Sequence, residues 1–328
     1  LRVINDILDF SKIEAGKLEL DPTPFSLREC LGETLTALGV RADEKGLELI
    51  CDIPPRIPDA FVGDPGRLRQ VLTNLVGNAI KFTNAGEVVV AVDGSSTRRH
   101  GGTGLGLTIS AQLVHLMNGR IWVETEEGAG SAFHFSVRFA QGPSHTTPEK
   151  RLEAEFEGLH VLVVDDNATL RRILNRTLRS RGVRTTLAET GREAIRLLRE
   201  MREAGGQPDL LLLDAKTADM DGFEVAQAFR DEPELETPTV MMLPSAARQG
   251  EAARCEPLGV SAYVTKPIRE TMLVNAVLQA LGRDEAPHPS DLPLPAGAAR
   301  SLRVLLAEDN AVNRVLAQSL MERWGHEV

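Results

Sequence analysis

Only three cysteines occur in 328 residues (Cys30, Cys51 and Cys255), and no two form a C-x-x-C pair. Neither a disulfide framework nor a cysteine zinc site is available, and a reducing, cytoplasmic setting fits. Long apolar runs are also missing: none approaches the roughly 18 residues that span a bilayer, and no signal peptide opens the chain. Positive charge is in deficit, with 37 Lys and Arg against 47 Asp and Glu and a net charge of -10. Direct nucleic-acid binding and attraction to anionic lipid are therefore not built into the surface, and small partners of positive charge, metal ions included, are favoured. What is present is ordinary for a folded protein: 42% hydrophobic and 26% charged residues. The length predicts about two domains. The chain opens on Leu1 rather than Met and stops at Val328 inside a repeating pattern, which reads as a piece of a longer protein.

Two stretches have linker composition. Residues 141–158 (QGPSHTTPEKRLEAEFEG) are polar and charged, and residues 283–301 (RDEAPHPSDLPLPAGAARS) are rich in Pro and Ala. The segment from Leu159, LHVLVVDDNA, resembles that from Leu302, LRVLLAEDNA, and at the same spacing Gly182 falls on Gly325. The third piece thus starts a copy of the second, and with only one strand and one helix it is not expected to be ordered alone.

In the middle piece, apolar runs at 161–164, 183–187, 210–213, 239–243 and 262–264 alternate with helix-length segments, predicting a doubly wound parallel α/β sheet of five strands. Ligands of such sheets sit beyond the carboxyl ends of the strands. Asp165 and Asp166 follow the first strand, Asp214 ends the third, Ser245 follows the fourth and Lys266-Pro267 the fifth. Acids after a strand are commonly solvated loop charges, but five such groups on one edge point to a site. Three close carboxylates repel one another unless a hard cation such as Mg²⁺ sits among them. With that charge and Lys266 neutralising phosphoryl oxygens, Asp214 can act as a nucleophile and form an acyl phosphate, with Ser245 bonding a phosphoryl oxygen. Lys266 is placed at the edge of this site, so its removal is expected to weaken signalling more than stability.

The first piece predicts an α+β layer with an antiparallel sheet: helices over 1–16, 27–45, 64–82 and 105–117, strands over 47–53 and 87–92, and a hairpin of 120–125 with 132–139. Phe133, Phe135, Val137 and Phe139 alternate onto one face of that hairpin. On the helix over 64–82, Leu68, Val71, Leu72, Leu75, Val76, Ala79 and Ile80 have core spacing. The other stripe carries Gln70, Asn74, Asn78 and Lys81; a solvated polar face is the plain reading, yet amide oxygens also suit Mg²⁺ and the lysine suits a phosphate. Gly101-Gly102-Thr103-Gly104-Leu105-Gly106-Leu107 then opens a helix, whose free N–H groups form an anion-binding end. It is neither G-x-G-x-x-G nor a P-loop.

The strings VLVVDDN, LLLLDAKTADMDGFE, MMLPSA and YVTKP within 159–281 resemble the receiver domain of two-component signalling, a flavodoxin-like fold. The resemblance implies Asp165 and Asp166 as the metal-binding acid pair, Asp214 as phosphoacceptor and metal ligand, Ser245 as switch hydroxyl and Lys266 as phosphate partner. Thr217-Ala218 stands where receivers usually carry Met-Pro, so a less fixed loop is expected there. LRQVLTNLVGNAIKFT (68–83) and TRRHGGTGLGLTIS (97–110) look like the N box and second glycine box of a histidine-kinase ATP-binding domain, a GHKL-type α/β sandwich. NDILDFSKIEAGK (5–17) looks like the end of the dimerisation helix of such kinases. By that resemblance Asn74 and Asn78 belong at the Mg²⁺-nucleotide site, with Asn78 on the metal. Lys81, Arg98 and Arg99 lie near phosphates, and Gly102, Thr103, Gly104, Leu105 and Gly106 form the ATP lid.

The expected organisation is dimerisation helix 1–17, ATP-binding domain 18–140, linker 141–158, receiver 159–282, linker 283–301 and a truncated second receiver 302–328. The whole resembles a bacterial hybrid sensor histidine kinase, the cytoplasmic portion of a parent that can be anchored in the inner membrane. The implied cofactors are ATP and Mg²⁺. The implied partners are a phosphohistidine donor domain, a downstream phosphotransfer protein or response regulator, and a second copy in the parent homodimer. None of the seven His sits in the family's acceptor motif, which is expected on a preceding helix. The strand ending at Val92 runs straight into Asp93-Gly-Ser-Ser-Thr, whereas the family places a strand with an Asp-x-Gly-x-Gly box between them to hold adenine. The alternative is a phosphoacceptor module on a vestigial kinase scaffold.

Overall fold

Ser26 and Asp64 each precede a long helical run, and each caps it: the Ser26 hydroxyl accepts from the Glu29 N–H at 3.0 Å and Asp64 Oδ1 from the Arg67 N–H at 2.9 Å. The computed structural model describes residues 11, 15, 17–94, 108–126, 128, 130–142, 155–232, 237–246 and 249–283. The described residues lie within one compact unit, Leu1–Arg283. Residues 284–328, with the segment 302–328, lie outside the described residues, as do Arg98, Arg99, Gly102, Thr103, Gly104, Leu105, Gly106 and most of the helix expected over 1–17.

The amino-terminal half of this unit runs β1 (Thr23–Ser26), α1 (Leu27–Glu44), β2 (Glu48–Asp52), β3 (Ala60–Gly63), α2 (Pro65–Phe82), β4 (Glu87–Ala91), α3 (Thr108–Leu116), β5 (Arg120–Glu126), β6 (Gly130–Ser136) and β7 (Ala140–Gln141). Its strands form three small sheets, β1-β3-β7, β2-β4 and β5-β6. The expected antiparallel sheet is thus corrected in part: β1-β3-β7 and β5-β6 are antiparallel, but β2 and β4 pair in parallel, Glu48 opposite Glu87. Strands β1, β3 and β7 have no expectation behind them, because each is too short to show a period. Gln141, in the stretch of linker composition, pairs within β7. Phe25, Phe61 and Phe139 meet where β1, β3 and β7 close over α1 and α2, with ring centroids 5.3 to 6.3 Å apart. Phe135, Val137 and Phe139 pack into the core, but Phe133 is exposed, so the hairpin's apolar face is shorter than its alternation implied. Lys45 donates to the carbonyls of Ile80, Lys81 and Thr83 at 2.7 to 2.9 Å, satisfying acceptors that the end of α2 leaves open.

The carboxy-terminal half runs β8 (His160–Val164), α4 (Ala168–Arg179), β9 (Arg184–Ala188), α5 (Gly191–Glu203), β10 (Leu210–Asp214), α6 (Gly222–Asp231), β11 (Thr239–Leu243), α7 (Gln249–Cys255), β12 (Ala262–Thr265) and α8 (Glu270–Ala280). All five strands are parallel in the order β12-β11-β10-β8-β9. Helices cover both faces, so the central strands are apolar without alternation. Val161, Val163, Leu210, Leu212, Val240 and Met242 pack with α4 and α8, whereas Leu162, Val164, Leu211, Leu213, Met241 and Leu243 pack with α5 and α6. Phe156, from the other end of the linker-like stretch, is buried in the first of these cores.

Gly222 opens α6 against the end of β10. A Cβ there would lie 2.1 Å from the Asp214 carbonyl oxygen and 2.9 Å from the Ala215 Cα, both backbone. Gly222→Ala is expected to lower stability by about 1 to 3 kcal/mol, the usual range for forced overpacking. Calorimetric melting checks this; an unchanged transition would show that the loop moves aside freely.

Candidate phosphoacceptor site

The strands β8 and β10 lie at the centre of the parallel sheet, so residues at their carboxyl ends emerge from a dry interior. Asp165 follows β8 and is fully buried, Asp214 closes β10 at 3% exposure, and Lys266 follows β12 at 9%. The Lys266 ammonium donates to Asp165 Oδ2 at 3.0 Å and to Asp214 Oδ2 at 2.8 Å. Asp166 is exposed beside them, and one carboxylate oxygen from each of the three aspartates lies within 4.8 Å of the others. Backbone N–H groups fix two of these carboxylates: Asn167 donates to Asp165 Oδ1 at 2.8 Å and Lys216 to Asp214 Oδ1 at 3.3 Å. The sequence put Lys266 at the edge of the site. Its burial among carboxylates corrects that placement: the sheet edge is covered here, and the ammonium is the cluster's counter-charge.

The electrostatics follow from the burial. Desolvation pushes the Asp214 carboxyl up to about 7 against the pull of Lys266, and the Asp165 charge adds to the rise. Asp165 is raised by burial too. Burial by itself would lower the Lys266 ammonium, but Asp214, Asp165 and a third carboxylate, Glu48, hold it above its ordinary value. Glu48 comes from β2, and its Oε1 stands 2.8 Å from the Lys266 nitrogen. Sequence reading missed Glu48, since nothing in one strand shows which residue from a remote element will cover it.

The Ser245 hydroxyl, after β11, donates to the Lys266 carbonyl. The Lys266-Pro267 peptide bond is cis. The loop carrying Thr217-Ala218 is tied down rather than loose. The Thr217 hydroxyl bonds the Met220 carbonyl, Asp219 accepts from the Gly191 N–H at 3.0 Å, and Asp221 forms a capping box with Glu224 at the start of α6. A hydroxyl and two carboxylates hold the turn that Met-Pro would otherwise fix.

In the other half, α2 buries Leu68, Val71, Leu72, Leu75, Val76 and Ile80. Its amide stripe is joined to α3: Asn74 Nδ2 donates to the Ser110 hydroxyl at 2.8 Å, and Asn78 Nδ2 donates to Asn74 Oδ1 at 3.3 Å. Lys81 is exposed, its ammonium 5.0 Å from the Phe82 ring centre. Among the described residues β4 pairs with β2 alone and β5 with β6 alone, and no strand lies between the two sheets.

Comparison with known proteins agrees with this division. Residues 161–278 match the response regulator receiver domain, and residues 92–141 match the histidine kinase-, DNA gyrase B- and HSP90-like ATPase family, whose nucleotide is ATP. The sensor protein GacS of Pseudomonas syringae pv. syringae is 32% identical over all of this chain and 40% of its own length. The signal transduction histidine-protein kinase BarA of Escherichia coli K12 is 30% identical over 98% of this chain and 38% of its own. The chain therefore spans about two fifths of these relatives. The alignment to GacS runs over 367 residues, longer than the chain, so that relative carries segments this chain lacks. The crystal structure of full-length ShkA in complex with AMPPNP superposes with a TM-score of 0.69 at 30% identity, covering 99% of this chain and 70% of that one. With an ATPase domain of the histidine-kinase kind and a receiver on one polypeptide, this chain belongs to the hybrid histidine kinases.

Proposed function

We propose that this chain works in a two-component phosphorelay, in which an ATP-dependent histidine kinase charges a histidine and the receiver takes the phosphoryl group onto Asp214. The observation that carries it is the Lys266 ammonium bonded to both Asp165 and Asp214 at the carboxyl edge of the sheet. The Asp214 carboxylate attacks phosphorus, the P–N bond of the phosphohistidine breaks, and its electron pair stays on the ring nitrogen, which takes up a proton. Lys266 holds a phosphoryl oxygen, and the Ser245 hydroxyl turns from the Lys266 carbonyl to meet another. Three hard carboxylate oxygens within 4.8 Å fit Mg²⁺, which Asp165, Asp166 and Asp214 would hold. When bound, it supplies positive charge to the phosphoryl oxygens. The donor is a phosphohistidine domain, the acceptor downstream is a phosphotransfer protein or response regulator, and the parent acts as a homodimer. Among the described residues no helix is long and apolar enough to cross a membrane.

The test is incubation with acetyl phosphate and Mg²⁺ followed by peptide mass spectrometry. One phosphoryl group on the peptide holding Asp214 is expected, and its absence would overturn the reading.

For the kinase half, Asn74 and Asn78 on α2 are assigned to the Mg²⁺-nucleotide site, with Lys81, Arg98 and Arg99 near the phosphates and the 102–106 glycine loop as the ATP lid. Without a carboxylate to read the adenine amino group, ATP affinity is expected to fall ten- to a hundredfold, since a hydrogen bond to a charged group contributes roughly 1.5 to 3 kcal/mol. Calorimetric titration with a non-hydrolysable ATP analogue and Mg²⁺ checks this; micromolar binding would show that the pocket does not need that group.

A further inference from the structure

The β2-β4 sheet has two unlike faces. Leu49 and Cys51 point into the helical core of the amino-terminal half, whereas Glu48, Ile50 and Asp52 alternate onto the other face. That second face is covered by the carboxy-terminal half. Ile50, 2% exposed, joins the hydrophobic cluster of β8, α4 and α8. Asp52 pairs with Arg176 of α4 and lies 3.9 Å from Arg172. Glu87 of β4 accepts from Asn167 Nδ2 and the Thr169 hydroxyl, both at 2.8 Å. Glu48 meets Lys266 at 2.8 Å.

Helix α1 extends this surface. Asp43 Oδ2 accepts from the Ala246 N–H at 2.7 Å, and Arg28 lies 3.4 Å from Glu270. Gly39 and Gly32 let the receiver's loops lie flush on the helix. A Cβ on Gly39 would be 2.3 Å from the Ser245 hydroxyl oxygen, and one on Gly32 would be 2.7 Å from Arg269 Nε. Glu87, Asp43 and Glu48 thereby clamp the three loops that carry Asp165-Asp166, Ser245 and Lys266.

We propose that the acidic open face of β2-β4, with the glycine-lined side of α1, is a docking site for the unphosphorylated receiver, and that Glu48 occupies the phosphoryl position on Lys266, so that docking and phosphorylation of Asp214 exclude each other. An ammonium has three N–H groups, and three carboxylates, Asp165, Asp214 and Glu48, surround this one. Glu48 Oε1, 2.8 Å from the Lys266 nitrogen, fills the place a phosphoryl oxygen would take beside the ammonium until Glu48 withdraws. Like charge at this range opposes a phosphoryl anion as well. Beyond its ion pair the buried Glu48 Oε1 makes no hydrogen bond, so the plug is held by charge and by its neighbours rather than by a satisfied network. The inference rests on Asp214 as phosphoacceptor.

The test uses the full chain with two undocking variants. Glu48→Gln removes the plug's charge, and Gly39→Leu, whose side chain would press on Ser245, wedges α1 away from the receiver while substituting no residue of the phosphoacceptor site. With acetyl phosphate and Mg²⁺, both are expected to label Asp214 at least tenfold faster than the wild type. A zero-length carbodiimide is expected to join Glu48 to Lys266 in the wild type, and the cross-linked peptide is expected to be lost in Gly39→Leu and after phosphorylation. Equal labelling rates in all three proteins, or a cross-link that survives phosphorylation, would overturn the docking inference while leaving Asp214 as acceptor. No labelling in any of the three would overturn both.

Discussion

Replacing Asp214 by asparagine is expected to abolish phosphoryl labelling and, at pH 8, to make the protein more stable. The first effect follows because the amide has no nucleophilic carboxylate; labelling by acetyl phosphate should drop by at least a hundredfold. The second follows from burial. Desolvation pushes the Asp214 carboxyl to about 7 from an ordinary 3.8, while in the unfolded chain it ionises normally. Between those values the folded state keeps a proton that the unfolded state has lost, so the contribution of this one group is fully present near pH 4 and is lost as pH rises through about 7. Asparagine resembles the neutral acid and skips that loss. A gap of about three pH units corresponds to about 3 to 4 kcal/mol in favour of the variant above pH 7, shrinking towards nothing near pH 4. Scanning calorimetry at pH 8 and pH 5 measures both ends. A variant less stable than wild type at pH 8 would mean that the bond to Lys266 outweighs desolvation.

What could be read from the sequence was whatever a strand carries in its own pattern. Leu210–Asp214 is five buried residues ending in an acid, and such a run in a parallel sheet fixes both its place and the edge on which the acid emerges. Asp165, Ser245 and Lys266 share that edge for the same reason, which is how four residues far apart in the chain were brought together in advance. The third carboxylate against Lys266 was not legible, because Glu48 lies 218 residues away in the sequence and in the other half. The Glu48, Ile50, Asp52 alternation held a clue: an apolar residue between two acids on the face away from the helices implies a cover. So did Gly32 and Gly39, two turns apart in an otherwise strong helix, since glycine there lowers helix stability and needs a reason in packing. Strands β1, β3 and β7 stayed hidden because two to four residues show no period, and their pairing is decided by the phenylalanines they bring together.

Lys266→Met is the substitution expected to do most harm to the fold. The side chain is nearly isosteric and apolar, so packing changes little, but Asp165, Asp214 and Glu48 lose the cation they surround. Breaking a buried ion pair from one side typically costs about 3 to 5 kcal/mol, because the remaining charge stays buried without compensation. The loss should shrink as pH falls from 8 to 5.5, because removing Lys266 takes away the pull that lowers the Asp214 carboxyl, so the variant takes up a proton there more readily than the wild type. Millimolar Mg²⁺ should restore part of the stability, since a ligand bound by the native state alone stabilises it in proportion to the logarithm of its concentration. Measuring the same change in a Glu48→Gln background separates the two origins of the effect. If the aspartates dominate, the loss persists there, and if the contact across the two halves dominates, it largely disappears. Calorimetric melting of the four proteins decides it, and a loss below about 1 kcal/mol in both backgrounds would return Lys266 to the exposed rim of the site, where its removal would affect phosphoryl binding and little else.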